Sequence, residues 1–308
     1  METETIVEPR PSRAGMESQT AISPGLLGLL VLMSFLWAIS FPIGKIVMRD
    51  LPPALLPGLR VTLAGLLLVP VFLWDARRRP PLRMDWFDRG QFILMALFGI
   101  ALNQILFLSG LKRTSVAHAA VVIALTPIQI LLMSVILGRE RFSFFRLAGM
   151  GIALCGVAVM QTSKGTATLA GDLLVLAAGF TFAIFTIISK PLTTRFGSLP
   201  TTSLLYWAAA GLLLPLTVYE ARGFDFRGVP LVAWLLVAYL AAFPSVLCYL
   251  IWYHALGKLG ASRVAMFSYL QPLFATLSAI PLIGEAAGWA VAVGGVLVLG
   301  GVALAEKR

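Results

Sequence analysis

The residues able to do chemistry in this 308-residue chain are few, and the gaps in their distribution are as informative as their positions. Its fourteen carboxylates, Glu2, Glu4, Glu8, Glu17, Asp50, Asp75, Asp85, Asp88, Glu140, Asp172, Glu220, Asp225, Glu285 and Glu306, all fall in tails, loops or the ends of apolar runs. An acid inside such a run is by default a functional group that relays protons or anchors a cation. The two histidines, His118 and His254, have no serine or cysteine motif beside them, and Cys155 and Cys248 lack any partner spacing. The pattern argues against an enzyme, a metal site, a disulfide or a resident cofactor.

What remains is a small set of polar and aromatic side chains deep in apolar runs. SFLWAISFP places Trp37 away from the interfacial depth that tryptophan usually takes, with Ser40 and Pro42 following it. Asn103 and Phe107, four residues apart, share a helix face. Gln271 stands immediately before Pro272, and a proline frees a carbonyl one turn back and draws polar groups to that level. His118 is either a gate hydrogen bonder or proton carrier, or a solvated histidine at the interface. Arg60, after Pro52, Pro53 and Pro57, either snorkels to the surface or captures a substrate carboxylate. Asn103 serves equally as a cavity residue or as interhelical glue, and each aromatic as a cavity wall or as packing.

The elements that must position them are membrane helices. A composition 59% hydrophobic and 12% charged, with mean hydropathy of +0.91, leaves too little polar surface to coat a globule. Crossing a hydrocarbon layer about 30 Å thick takes about 20 helical residues. Ten runs fit that length, near 25–46, 54–74, 91–111, 116–138, 146–162, 170–190, 199–219, 231–254, 264–283 and 287–305. They are continuously apolar rather than alternating, which predicts helices and not a barrel. Residues 1–24 are polar, lack a signal-peptide pattern and read as a disordered cytoplasmic tail.

The net charge of +10 is a topology signal and not a nucleic-acid footprint. With the amino terminus inside, sixteen lysines and arginines fall on the inner side against seven outside, which predicts both termini in the cytoplasm.

Sliding the chain over itself exposes a repeat at an offset of 145. Lys45 falls on Lys190, Pro70 on Pro215, Phe98 on Phe243, Leu111 on Leu256, Pro127 on Pro272, Glu140 on Glu285, Gly149 on Gly294 and Gly156 on Gly301. Five spans per half force the second half to enter the membrane from the opposite side, the arrangement of many secondary transporters. The same offset pairs Trp37 with Phe182 and Phe107 with Trp252, predicting four aromatic walls around one midplane space. Pro127 and Pro272 mark a break or bend near it. Glu140 and Glu285 each open the next helix, where a carboxylate meets the positive end of the dipole. Small residues at four-residue spacing, Gly149 with Ala153 and Ala290 with Gly294, predict close helix packing within the chain or in a dimer.

Five-plus-five spans, a proline in the fourth and ninth, a glutamate thirteen residues on and glycine-rich fifth and tenth helices resemble the EamA branch of the drug/metabolite transporter superfamily. The resemblance runs over residues 25–162 as a first repeat and 170–305 as a second. Size and aromatic content are most similar to the bacterial aromatic amino-acid exporters of the YddG type. It implies an all-α inner-membrane protein of two inverted five-helix repeats, a cavity among the first, third, fourth, sixth, eighth and ninth spans, and alternating access. The implied cargo is a small molecule, namely neutral or zwitterionic amino acids including aromatic ones, with no oligomer required. A general drug or metabolite exporter, another small-solute carrier and a membrane scaffold are the alternatives.

Overall fold

The computed structural model describes residues 22–114, 119, 122–160, 168–283 and 289–306, and these form helices joined by short turns, with no strand among them. Most of the expected tail, together with His118 and Glu285, lies outside the described residues. Helices α1 (Pro24–Val47), α2 (Leu55–Ala76), α3 (Trp86–Arg113), α6 (Leu169–Phe196), α7 (Ser198–Arg222) and α8 (Leu231–Leu256) are long and apolar enough to cross a membrane. The other expected spans are represented by α4 (Thr126–Ile136), α5 (Phe144–Met160), α9 (Leu270–Ile283) and α10 (Trp289–Glu306). Large apolar side chains such as Leu66, Trp74, Ile136 and Val296 face outward, as lipid contact requires and water would penalise.

Local chemistry sets the helix ends. Ser23 caps α1 with Pro24 in the first turn, and Asp85 with Asp88 forms a reciprocal capping box at the start of α3. After α4 the backbone turns left-handed at Gly138, φ 64°, while Arg139 N–H reaches back to Ser134 O at 2.8 Å and Gly138 N–H to Val135 O at 2.9 Å. That glycine-dependent stop ends α4 and delivers Glu140 to the end of the bundle where α1 begins.

Equivalent helices of the two halves run in opposite directions. Thr114, just past α3, accepts from Lys45 near the end of α1 through its carbonyl and donates to Asp172 at the start of α6 through its hydroxyl. So α6 begins where α1 finishes. The clearest case is α5 against α10, where a Cβ added at Gly149 would stand 2.6 Å from Gly301 O and one at Gly156 would stand 2.6 Å from Gly294 O. Gly301 is the 145-residue mate of Gly156, and Gly294 of Gly149, so each half presents the same surface to the other, antiparallel. The small-residue spacing is therefore spent inside the chain.

Candidate functional site

A cavity of about 120 Å³ occupies the seam between the halves, reaching from the middle of the bundle toward the end where α1 finishes. It has room for on the order of ten waters or one small solute. Four repeat-related pairs face it: Trp37 with Phe182, Gln104 with Tyr249, Ile123 with Ser268, and Thr126 with Gln271. Ser40, Phe41, Arg60, Asn103 and Phe107 complete the lining, all from the first half. Their mates, Phe185, Thr186, Leu205, Cys248 and Trp252, are each fully buried. Both halves therefore contribute to the site, but unequally.

Two prolines bring the fourth pair into place. Pro127 is the second residue of α4 and Pro272 the third of α9, so both stand in the first turn of a helix. The run expected at 116–138 is interrupted by a turn at 124–125, and the one at 264–283 by a 3₁₀ stretch over Met266–Tyr269. Helix therefore restarts beside Thr126 and Gln271, and both side chains line the space. Thr126 Oγ1 and nearby Gln129 Oε1 are buried without a hydrogen-bond partner among the described residues.

A second pair of local distortions was not visible in the hydrophobic pattern. Helix α3 carries a π-helical segment at Leu97–Ala101 and α8 another at Ala241–Leu247, positions that coincide at the 145 offset. Pro244 has no N–H to give Leu240 O, and the Ser245 hydroxyl donates to that carbonyl instead, at 2.9 Å. The same hydroxyl accepts from Arg60 Nε at 2.7 Å, while Arg60 Nη1 donates to Gln104 Oε1 at 3.3 Å. Arg60 thus reaches inward to the middle of α8 instead of snorkelling to the surface. The widened turns also lend carbonyls to the aromatic wall: Trp37 Nε1 donates to Pro244 O at 2.9 Å and Tyr249 Oη to Gly99 O at 3.4 Å. The Pro244-Ser245 pair is the one local sequence mark of the second-half distortion, and the first-half segment, Leu97–Ala101, carries none.

Most of the residues singled out from the sequence meet at this cavity, with some roles changed. Ser40 Oγ donates back to Trp37 O at 2.5 Å, and Asn103 Nδ2 donates to Ala178 O at 2.7 Å, so Asn103 both lines the space and ties α3 to α6. Phe107 lines it but packs edge-on against Phe41 at 5.3 Å, not against Trp252. Trp252 is no wall at all: it is fully buried behind Trp37 and Phe182, at 5.6 and 5.2 Å between ring centroids. The symmetric second pair fails because the two halves are not in the same conformation.

Behind this layer the bundle is sealed. Tyr206, Phe185 and Tyr253 are fully buried, and rings 5.4 to 6.2 Å apart link them to Tyr249. At the end where α1 begins, Glu140 pairs with Arg146 at 2.8 Å and accepts from Ser262 N–H at 3.1 Å and from the Ser262 hydroxyl. Arg146 Nη1 also donates to Ser262 Oγ at 2.9 Å. Glu140 thus pairs with Arg146 in the first turn of the following helix α5, while the Ser143 hydroxyl accepts from the Arg146 N–H there. Glu140 also joins the first half to the turn Ala261–Ala265 of the second, because the glycine stop at 138 aims it across the seam.

Among the described residues the cavity presents aromatic faces, amides, hydroxyls and one guanidinium, groups suited to holding a small solute. Known proteins agree with that character. The EamA-like transporter family profile matches residues 24–162 and again 169–306. A probable terminal-alkyne amino-acid exporter of Streptantibioticus cattleyicolor is 30% identical over 91% of this chain and 92% of its own. A probable amino-acid metabolite efflux pump of Salmonella typhimurium is 28% identical over 90% and 93%, and an uncharacterized transporter of Archaeoglobus fulgidus 28% identical over 91% and 96%. A solved crystal structure superposes with a TM-score of 0.75 at 22% identity, covering 92% of this chain and 97% of the other, which speaks for the fold alone. With both halves matched and antiparallel equivalents packed about one cavity, the chain belongs to the EamA-like transporter family.

Proposed function

We propose that the protein exports neutral or zwitterionic amino acids, aromatic ones included, by alternating access between two inverted repeats of five spans each. In this reading both termini are cytoplasmic, the membrane is a bacterial inner membrane, and the cavity faces outward in the conformation described. The observation that carries it is the lining itself: four repeat-related pairs around one space at the seam, with the mates of the remaining five residues buried. Exchange of roles between the halves moves such a site from one face to the other without moving the ligand far. The aromatic faces of Trp37, Phe182 and Tyr249 suit a flat side chain, and the relatives at 30% and 28% identity are named a probable terminal-alkyne amino-acid exporter and a probable amino-acid metabolite efflux pump.

The absence of a carboxylate from the mid-span sequence argues against a proton relay built on one. Uptake of labelled phenylalanine, tryptophan and leucine into proteoliposomes, with and without a pH gradient, tests both parts. Lack of flux for every amino acid removes the substrate class, and a strict requirement for the gradient overturns the reading of the missing acid.

A further inference from the structure

Arg60 is the one charged side chain in the cavity lining, and among the described residues it pairs with no carboxylate. A guanidinium has five N–H donors, and here neutral oxygens occupy two: Ser245 Oγ on Nε and Gln104 Oε1 on Nη1. The remaining donors of the fork have no partner among the described residues, on a side chain that faces the space. A cation held beside the middle of a membrane span without a counter-ion is unfavourable, and such residues mark substrate or ion paths. The π-helical turn at Pro244 and the Ser245 hydroxyl it recruits hold the guanidinium rigidly, which is what bidentate recognition of a planar anion requires.

We propose that Arg60 is the receptor for a substrate carboxylate, and that the cavity recognises a monocarboxylate with an apolar body instead of the zwitterion as such. The proposal rests on the reading of this cavity as the substrate site. Among the described residues the lining contains no aspartate or glutamate, so an ammonium there meets neutral acceptors such as Thr126, Ser268 and Gln271. The electrostatic balance then ranks an anion or zwitterion far above a cation of the same shape. Carboxylic acids lacking the amine, such as 3-phenylpropionate, become ligands comparable to the amino acid.

Matched probes test this. Calorimetric titration of the purified full chain with phenylalanine, 3-phenylpropionate and phenethylamine separates the two charged groups on one body, and hexanoate against hexylamine repeats the comparison without a ring. The expected result is that 3-phenylpropionate binds within a few-fold of phenylalanine while phenethylamine binds about 10- to 100-fold more weakly, the worth of a charge-assisted contact. Arg60→Gln should abolish the preference for the carboxylate, and Arg60→Lys should retain part of it. An amine that binds the unaltered protein as well as its matched carboxylate overturns the proposal, as does the absence of binding by both carboxylates. If hexanoate is preferred over hexylamine while no aromatic ligand binds, Arg60 keeps its role and only the aromatic substrate range fails.

Discussion

Asn103 and Cys248 hold equivalent places in the two halves, yet Asn103 lines the cavity while Cys248 is fully buried, its thiol directed at Met33 O 3.6 Å away. The pair is a native record of which half is open. If the repeats exchange conformations as proposed, Cys248 comes to the cavity and Asn103 withdraws. In a Cys155→Ser variant, Cys248 should react slowly with a maleimide at rest and faster when substrate drives turnover, as read by mass spectrometry. A rate unchanged by substrate would count against the exchange.

Trp37 and Trp252 should separate function from stability. Trp37 lines the cavity, and its indole holds Pro244 O; Trp252 stands fully buried behind it. Trp252→Ala removes a buried ring and should cost about 3–5 kcal/mol in thermal unfolding. Trp37→Phe keeps a ring and loses one hydrogen bond, about 1 kcal/mol, but should raise the KM for aromatic substrates more than for leucine. Equal effects of the two variants on KM would mean that Trp252 touches substrate after all.

The α5–α10 contact offers a steric contrast. A methyl at Gly149 meets backbone atoms of α10 at 2.5 and 2.6 Å, whereas one at Gly151 meets nothing within 4 Å. Gly149→Ala should destabilise by about 1–3 kcal/mol and Gly151→Ala should be neutral or gain up to about 1 kcal/mol from helix propensity. Denaturation of both variants in the same detergent decides the matter.

Glu140 and Arg146 close the sealed end as a buried pair, 6% and 13% exposed. Glu140→Ala leaves Arg146 without its counter-ion and should cost about 3–5 kcal/mol. Adding Arg146→Met should recover part of that loss, since the unpaired charge goes with it. Resting Cys248 in the single variant should label faster than in the parent, because the closure over it is weakened. No recovery in the double variant would show the two side chains acting independently.

The sequence made the architecture legible because membrane helices announce themselves by length and hydropathy, and a duplicated chain announces itself by register. Pro127 and Pro272 were readable as paired breaks, and Gln271, Ser40 and Asn103 as deep polar groups, for the same reason. The π-helical turns were not, since Pro244 and Ser245 look like any interruption until Arg60 is seen to depend on them. The contact of Glu140 across the seam was not legible, because Ser262 is 122 residues away and the glycine that aims the carboxylate acts through a backbone turn.

By itself the sequence determined that this chain fills a membrane with two related halves and keeps acids out of their middle. Only the tertiary structure decided that Ser40, Phe41, Arg60, Asn103 and Phe107 face the cavity while their mates in the second half are buried. A sequence repeat is symmetric, but a packed bundle must choose one side to seal, because the aromatic layer of Phe185, Trp252 and Tyr253 cannot be both filled and open. The same choice turned Arg60 inward, where the serine that holds it exists only at the bend of a different helix.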